Sequence, residues 1–93
     1  MFQEKELEKK FCNTAKALGM YPIKMNDLSR RGAPDRMVLC NHSQVFFVEF
    51  KREGETPTRL QETYHEFLRD MGFNVYICDR FEEIHDILDL YAF

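Results

Sequence analysis

The sequence has no tryptophan, only three cysteines, three prolines and four glycines in 93 residues. Cys12, Cys40 and Cys78 are odd in number and far apart. Such spacing offers neither a zinc-ligand pair nor a disulfide framework. Each lies among apolar neighbours, which predicts buried, reduced thiols. No apolar run approaches the ~18 residues that a membrane-spanning helix needs. The opening Met-Phe-Gln-Glu-Lys-Glu-Leu-Glu lacks the apolar stretch of a signal peptide. The expectation is a cytoplasmic protein with no membrane partner and no nucleotide cofactor. Repeats, low-complexity segments and linkers are absent, so 1–93 reads as one domain with a modest core.

An excess of positive charge is also missing. The net charge is −3, which by itself argues against a nucleic-acid binder. Its distribution is more informative. Residues 1–59 hold eleven Lys/Arg against eight Asp/Glu, and residues 60–93 hold two against eight. A basic working face with an acidic back fits that asymmetry.

What is there centres on Gly32 to Lys51. Arg36 to Cys40 and Gln44 to Phe50 are rich in β-branched and aromatic residues. Asn41-His42-Ser43 between them is a turn signal, so the two runs predict a hairpin. With those three residues as the loop, Cys40 faces Gln44 and Asp35 faces Glu49, with Cβ atoms roughly 4.5–5.5 Å apart. Lys51 follows Glu49 by two and shares its face, while Phe50 points the other way. A two-residue loop would instead put Asp35 and Glu49 on opposite faces. Two adjacent carboxylates repel unless a cation lies between them. Mg²⁺ takes one or two carboxylates plus water and phosphate oxygens. A lysine beside it can orient or help deprotonate a water, or stabilise charge on a phosphate. The chemistry this predicts is metal-dependent phosphodiester cleavage. The plain alternative is an ordinary hairpin with surface charges at its open end.

Pro34-Asp35 followed by Glu49-Phe50-Lys51 resembles the signature of the PD-(D/E)XK nuclease superfamily. With Arg31-Gly32-Ala33 before it and Leu60-Gln61 after it, the chain resembles the VRR-Nuc (virus-type replication-repair nuclease) domain in its stand-alone, phage-like form. The match runs from the Glu-rich start to the final helix. It implies Mg²⁺, with Mn²⁺ as a substitute, held by Asp35, Glu49 and the Phe50 carbonyl. It implies that a first-helix glutamate completes the site. The resemblance places this role on Glu4, whose spacing to Leu7 and Phe11 looks like the family pattern, with Glu8 as the alternative. It places Gln61 near the site, on a metal-bound water or on Lys51. Branched DNA, four-way junctions above all, cut by a homodimer, is the implied substrate.

Around that stretch the chain reads in order. Residues 3–18 predict a helix with Leu7, Phe11, Ala15 and Leu18 on one side, ended by Gly19. Met20 to Met25 predicts a short strand, and Pro22 suits an edge. Lys24 is placed to reach DNA phosphate or to snorkel. In the loop 26–33, Arg30, Arg31 and Gly32 suit phosphate contact. Arg52, in the charged turn after Lys51, joins the candidate DNA-binding set. Thr56-Pro57-Thr58 opens a helix whose expected buried stripe is Leu60, Tyr64, Phe67, Leu68 and Met71. His65 shares an edge with Gln61 but receives no catalytic role. Phe73 to Cys78 predicts the last strand. Asp79 with Glu82 predicts a capping box for a final helix carrying Phe81, Ile84, Ile87, Leu88 and Tyr91.

The expected fold is α/β: a three-layer α/β/α sandwich around a central mixed sheet, restriction-endonuclease-like. The expected activity is that of a Mg²⁺-dependent, structure-selective endodeoxyribonuclease. One rival is a catalytically inactive or accessory DNA-binding or interaction module with the same fold. Another is a sequence-specific restriction enzyme, for which 93 residues leave little base-reading material. The apolar tail Leu88 to Phe93 is expected to leave surface for a partner.

Overall fold

Seven elements follow one another in the computed structural model, which describes residues 3–92. They are α1 (Glu4–Ala17), β1 (Tyr21–Lys24), β2 (Arg36–Leu39), β3 (Val45–Phe50), α2 (Arg59–Asp70), β4 (Asn74–Cys78) and α3 (Glu82–Leu88). Their order and type are those the periodicities predict. The sheet runs β1-β2-β3-β4. The first two pairings are antiparallel, and β3–β4 is parallel, because α2 carries the chain back to the starting edge. Pro22 lies on the edge strand β1, where its missing N–H costs no ladder bond.

The hairpin has the three-residue loop. Cys40 N–H donates to the Gln44 carbonyl at 2.8 Å, and Leu39 pairs with Val45. His42 and Ser43 both take φ +61, which makes so short a reversal possible. Since side chains alternate, this register decides which residues face which layer. Val38, Phe46, Val48 and Phe50 face α1 and α3, and pack with Leu7, Phe11 and Leu88. Phe47 faces α2, with Met37 and Val45 beside it, and meets Tyr64 and Leu68. Three layers result, with β2 and β3 covered on both sides.

Local expectations shift in four places. The buried residues of α2 are Tyr64, His65 and Leu68, while Leu60, Phe67 and Met71 stay 54%, 41% and 54% exposed. The helix is thus turned by roughly 60°, at 3.6 residues per turn, from its expected apolar stripe. The capping box of α3 is displaced: Glu83, not Glu82, accepts from Asp79 N–H, and the Asp79 carboxylate accepts from Gly54 N–H instead. Cys12 and Cys78 are buried thiols, but Cys40 is only half-buried. In the tail, Leu88 and Tyr91 pack into the core, with Tyr91 stacked on Phe46 at 4.5 Å, and Leu90 is exposed. Phe93, the end of the expected apolar tail, lies outside the described residues.

Candidate active site

Three polar or charged side chains are buried among the described residues: Glu49, Lys51 and His65. Glu49 and Lys51 lie at the end of β3, and His65 of α2 meets Glu49 there. Burying charge is costly unless it is paired or hydrogen-bonded, so a cluster of this kind marks a site.

Asp35 immediately precedes β2, and the register that pairs Arg36 with Val48 carries it opposite Glu49. Its backbone carbonyl accepts from Met25 N–H at 3.0 Å, and its Oδ2 accepts from Phe50 N–H at 2.7 Å. Pro34 before it is fully buried. Burial is the main reason the Asp35 carboxyl is pushed up to about 7; the Phe50 N–H opposes this, and the nearby charges of Glu49 and Glu8 reinforce it. The proximity of Glu49 thus adds to what burial does to Asp35.

Glu49 is held from α2. Gln61 Nε2 donates to Glu49 Oε2 at 3.2 Å, and His65 Nε2 lies 3.4 Å from Oε1. Gln61 is itself fixed by a capping box. Its N–H donates to Thr58 Oγ1 at 3.2 Å, and its Oε1 accepts from Thr58 N–H at 2.9 Å. The first turn of α2 therefore sets the rotamer that holds the carboxylate. Lys51 N–H donates to the Cys78 carbonyl at 3.0 Å, which ties the lysine to the end of β4.

The loop between β1 and β2 is clamped to α2. The Asp27 carboxylate accepts from Ser29 and Arg30, and its other oxygen accepts from Tyr64 Oη at 2.8 Å. Hydrogen bonds from Ser29, then Tyr64, hold its carboxyl below the usual range. The Arg30 guanidinium lies 4.2 Å from the Phe67 ring centroid. Gly32, at φ +92, has no room for a Cβ, which would collide with the Leu60 carbonyl. The glycine is needed for packing against α2.

Glu8 of α1 reaches the other side of the site. It accepts from Arg36 Nε at 2.8 Å and lies 3.8 Å from Lys24 Nζ, and its charge is felt at Asp35. Glu4 lies one turn earlier and is half-buried. Among the described residues no three His, Cys, Asp or Glu side chains converge as a preformed ligand set. Two adjacent carboxylates suit an ion that takes one or two such ligands and otherwise keeps its waters, as Mg²⁺ does.

No family model matches the chain. It is 33% identical over 79 residues to "Putative nuclease p44" of Acyrthosiphon pisum secondary endosymbiont phage 1, covering 85% of each chain. A solved VRR_NUC domain superposes with a TM-score of 0.87 at 30% identity, over 95% of this chain and 96% of that one. This chain belongs to the VRR-Nuc nuclease family.

Within this VRR-Nuc fold the structure brings together Asp35, Glu49 and Gln61. Lys51 is buried beside them in sequence and at the same sheet end. Phe50 supplies its N–H to Asp35. Arg30 is occupied by Phe67, Gly32 by Leu60, and Lys24 leans toward Glu8. Arg31 and Arg52 are exposed. Sequence reasoning missed His65 and the Glu8–Arg36 pair. The spacing of Gln61 and His65 was the available signal: two polar residues one turn apart that share an edge.

Proposed function

We propose that this VRR-Nuc domain is a Mg²⁺-dependent endodeoxyribonuclease that cuts branched DNA, four-way junctions in preference to linear duplex, as a homodimer. The observation that carries the reading is the pair of facing carboxylates, Asp35 and Glu49, with the buried Lys51 two residues further along the chain. Asp35, Glu49 and the Phe50 carbonyl would hold the ion. We place the α1 contribution on Glu8, whose charge reaches Asp35, with Glu4 as the alternative. When bound, Mg²⁺, or Mn²⁺ in its place, supplies Lewis-acid polarisation of a phosphoryl oxygen.

The chain's own residues do the rest. Gln61 and His65 fix the Glu49 carboxylate from both of its oxygens, so it needs no reorganisation when a phosphate arrives. Lys51 orients the attacking water or stabilises charge on the phosphate. Arg31 and Arg52 are exposed and placed to meet the DNA backbone, Lys24 reaches it from beside Glu8, and Arg30 shapes the loop that carries Arg31. Paired cuts on opposed strands of a junction need two sites, which a two-fold dimer supplies.

The test is cleavage of labelled duplex, flap, nicked and four-way substrates in Mg²⁺. Asp35→Ala should abolish cutting while leaving the circular dichroism spectrum intact. Lys51→Ala should lower kcat by roughly 10²-fold or more with metal affinity little changed. Full activity in Asp35→Ala would sink the site. Wild type that binds DNA and cuts no substrate would favour an accessory binding module.

A further inference from the structure

A groove of about 330 Å³ opens between α1 and β1, on the opposite side of Asp35 from α2. Lys5, Lys9, Lys16, Lys24 and Arg36 line it, with Glu8 as the single acid. That acid is already paired with Arg36 and Lys24. The groove therefore carries four positive charges in excess, on a chain whose net charge is −3. Its remaining lining residues, Cys12 and Asn13, add no negative charge. Burial raises the Cys12 thiol above its ordinary value, which keeps it neutral.

The lysines are not scattered. Positions 5, 9 and 16 recur at four and seven, which aligns them along one stripe of α1. Eleven residues at 1.5 Å rise span about 16 Å. One strand of duplex DNA presents about five phosphates over that length, at ~3.4 Å of axis each. Five cations held together would repel one another unless a polyanion met them. A single phosphate would engage only one end of the stripe. At its other end the groove shares Glu8 and Arg36 with the active site, and Arg36 is the residue next to Asp35.

We infer that this lysine-lined groove between α1 and β1 is the track for the DNA strand that is fed to Asp35 and Glu49. The inference rests on the nuclease reading and adds the path of the substrate. Helix α1 then has two roles, since its apolar stripe closes the core and its lysine stripe holds the sugar-phosphate backbone. The contacts are to phosphates, so the groove contributes affinity and direction without base preference.

The experiment measures binding by fluorescence anisotropy in EDTA, so that cleavage plays no part. Labelled duplex and four-way DNA are titrated at several salt concentrations. The triple variant Lys5→Ala/Lys9→Ala/Lys16→Ala is compared with Lys10→Ala/Arg80→Ala, which removes two cations outside the groove. All the substituted side chains are exposed, and circular dichroism checks the helices. The triple variant should bind at least tenfold more weakly. Its slope of log affinity against log salt should fall by about two to three, at ~0.9 per lost phosphate contact. The control should bind like wild type. Triple-variant binding equal to wild type, while wild type still cuts DNA in Mg²⁺, overturns the groove and leaves the nuclease reading standing. An equal loss in triple variant and control also overturns it, as a non-specific charge effect. Wild type that neither binds nor cuts DNA overturns both.

Discussion

Asp35, opposite Glu49 at the end of the hairpin, lies where burial disfavours its ionisation. In the folded chain Asp35 keeps its proton up to about 7, against an ordinary value of 3.8, chiefly because it is buried. The folded state then binds more protons than the unfolded one between those values. Stability is fully present below about pH 4, falls as pH rises, and levels off above about 7. Urea unfolding without divalent ions should show this as a loss of a few kcal/mol between pH 4 and pH 8. Asp35→Asn should remove most of that slope. Mg²⁺ should raise the wild-type midpoint at pH 8 and hardly at all at pH 5, where the proton still occupies the site. A wild-type midpoint independent of pH would show that the two acids are not pressed together as described.

At the scale of elements, the first turn of α2 is where fold and site meet. Thr58 and Gln61 cap the helix reciprocally, and Gln61 also reaches Glu49. The two residues therefore separate a structural from a catalytic effect. Thr58→Ala should cost about 1 kcal/mol of stability and leave kcat within a few-fold of wild type. Gln61→Ala should cost a similar amount in stability and lower kcat more than tenfold, because Glu49 loses a donor. Equal rate losses in the two variants would assign both to the cap alone. The loop before β2 meets the same turn through Gly32. Gly32→Ala must strain a φ of +92 and push Leu60 away, at a cost of roughly 1–3 kcal/mol. Denaturant unfolding checks this; an unchanged midpoint would mean that loop and helix are not in contact.

At the scale of the molecule, one exposed apolar patch lies on α2. Leu60, Phe67 and Met71 line one side of that helix, and Leu28 of the neighbouring loop is 92% exposed. Among the described residues the tail offers less, since Leu88 and Tyr91 are buried and Leu90 is exposed. A partner is therefore expected against α2. Light scattering should report a homodimer at micromolar concentration, and Leu60→Glu/Met71→Glu should convert it to a monomer that no longer makes paired cuts in four-way junctions. A wild-type monomer that still makes them would overturn the assembly.

The sequence by itself determined the order of elements and the place of the hairpin; it offered the pairing of Asp35 with Glu49 for a three-residue loop, and the structure chose that loop over a two-residue one. These follow from short-range causes: period-two alternation, a turn signal at Asn41 to Ser43, and apolar spacing along the helices. Pro34-Asp35 and Glu49-Phe50-Lys51 were legible as a candidate site for the same reason, because one hairpin brings both segments together. Tertiary structure alone decided which way α2 turns. Apolar spacing predicts Leu60 and Met71 inward, yet Glu49 is buried and needs nitrogen donors, so Gln61 and His65 face it instead. It also decided that Arg30 stacks on Phe67, that Gly32 is spent on Leu60, and that Glu8 is the helix acid whose charge reaches Asp35. These contacts join residues far apart in the chain, and no local pattern encodes where two such side chains meet.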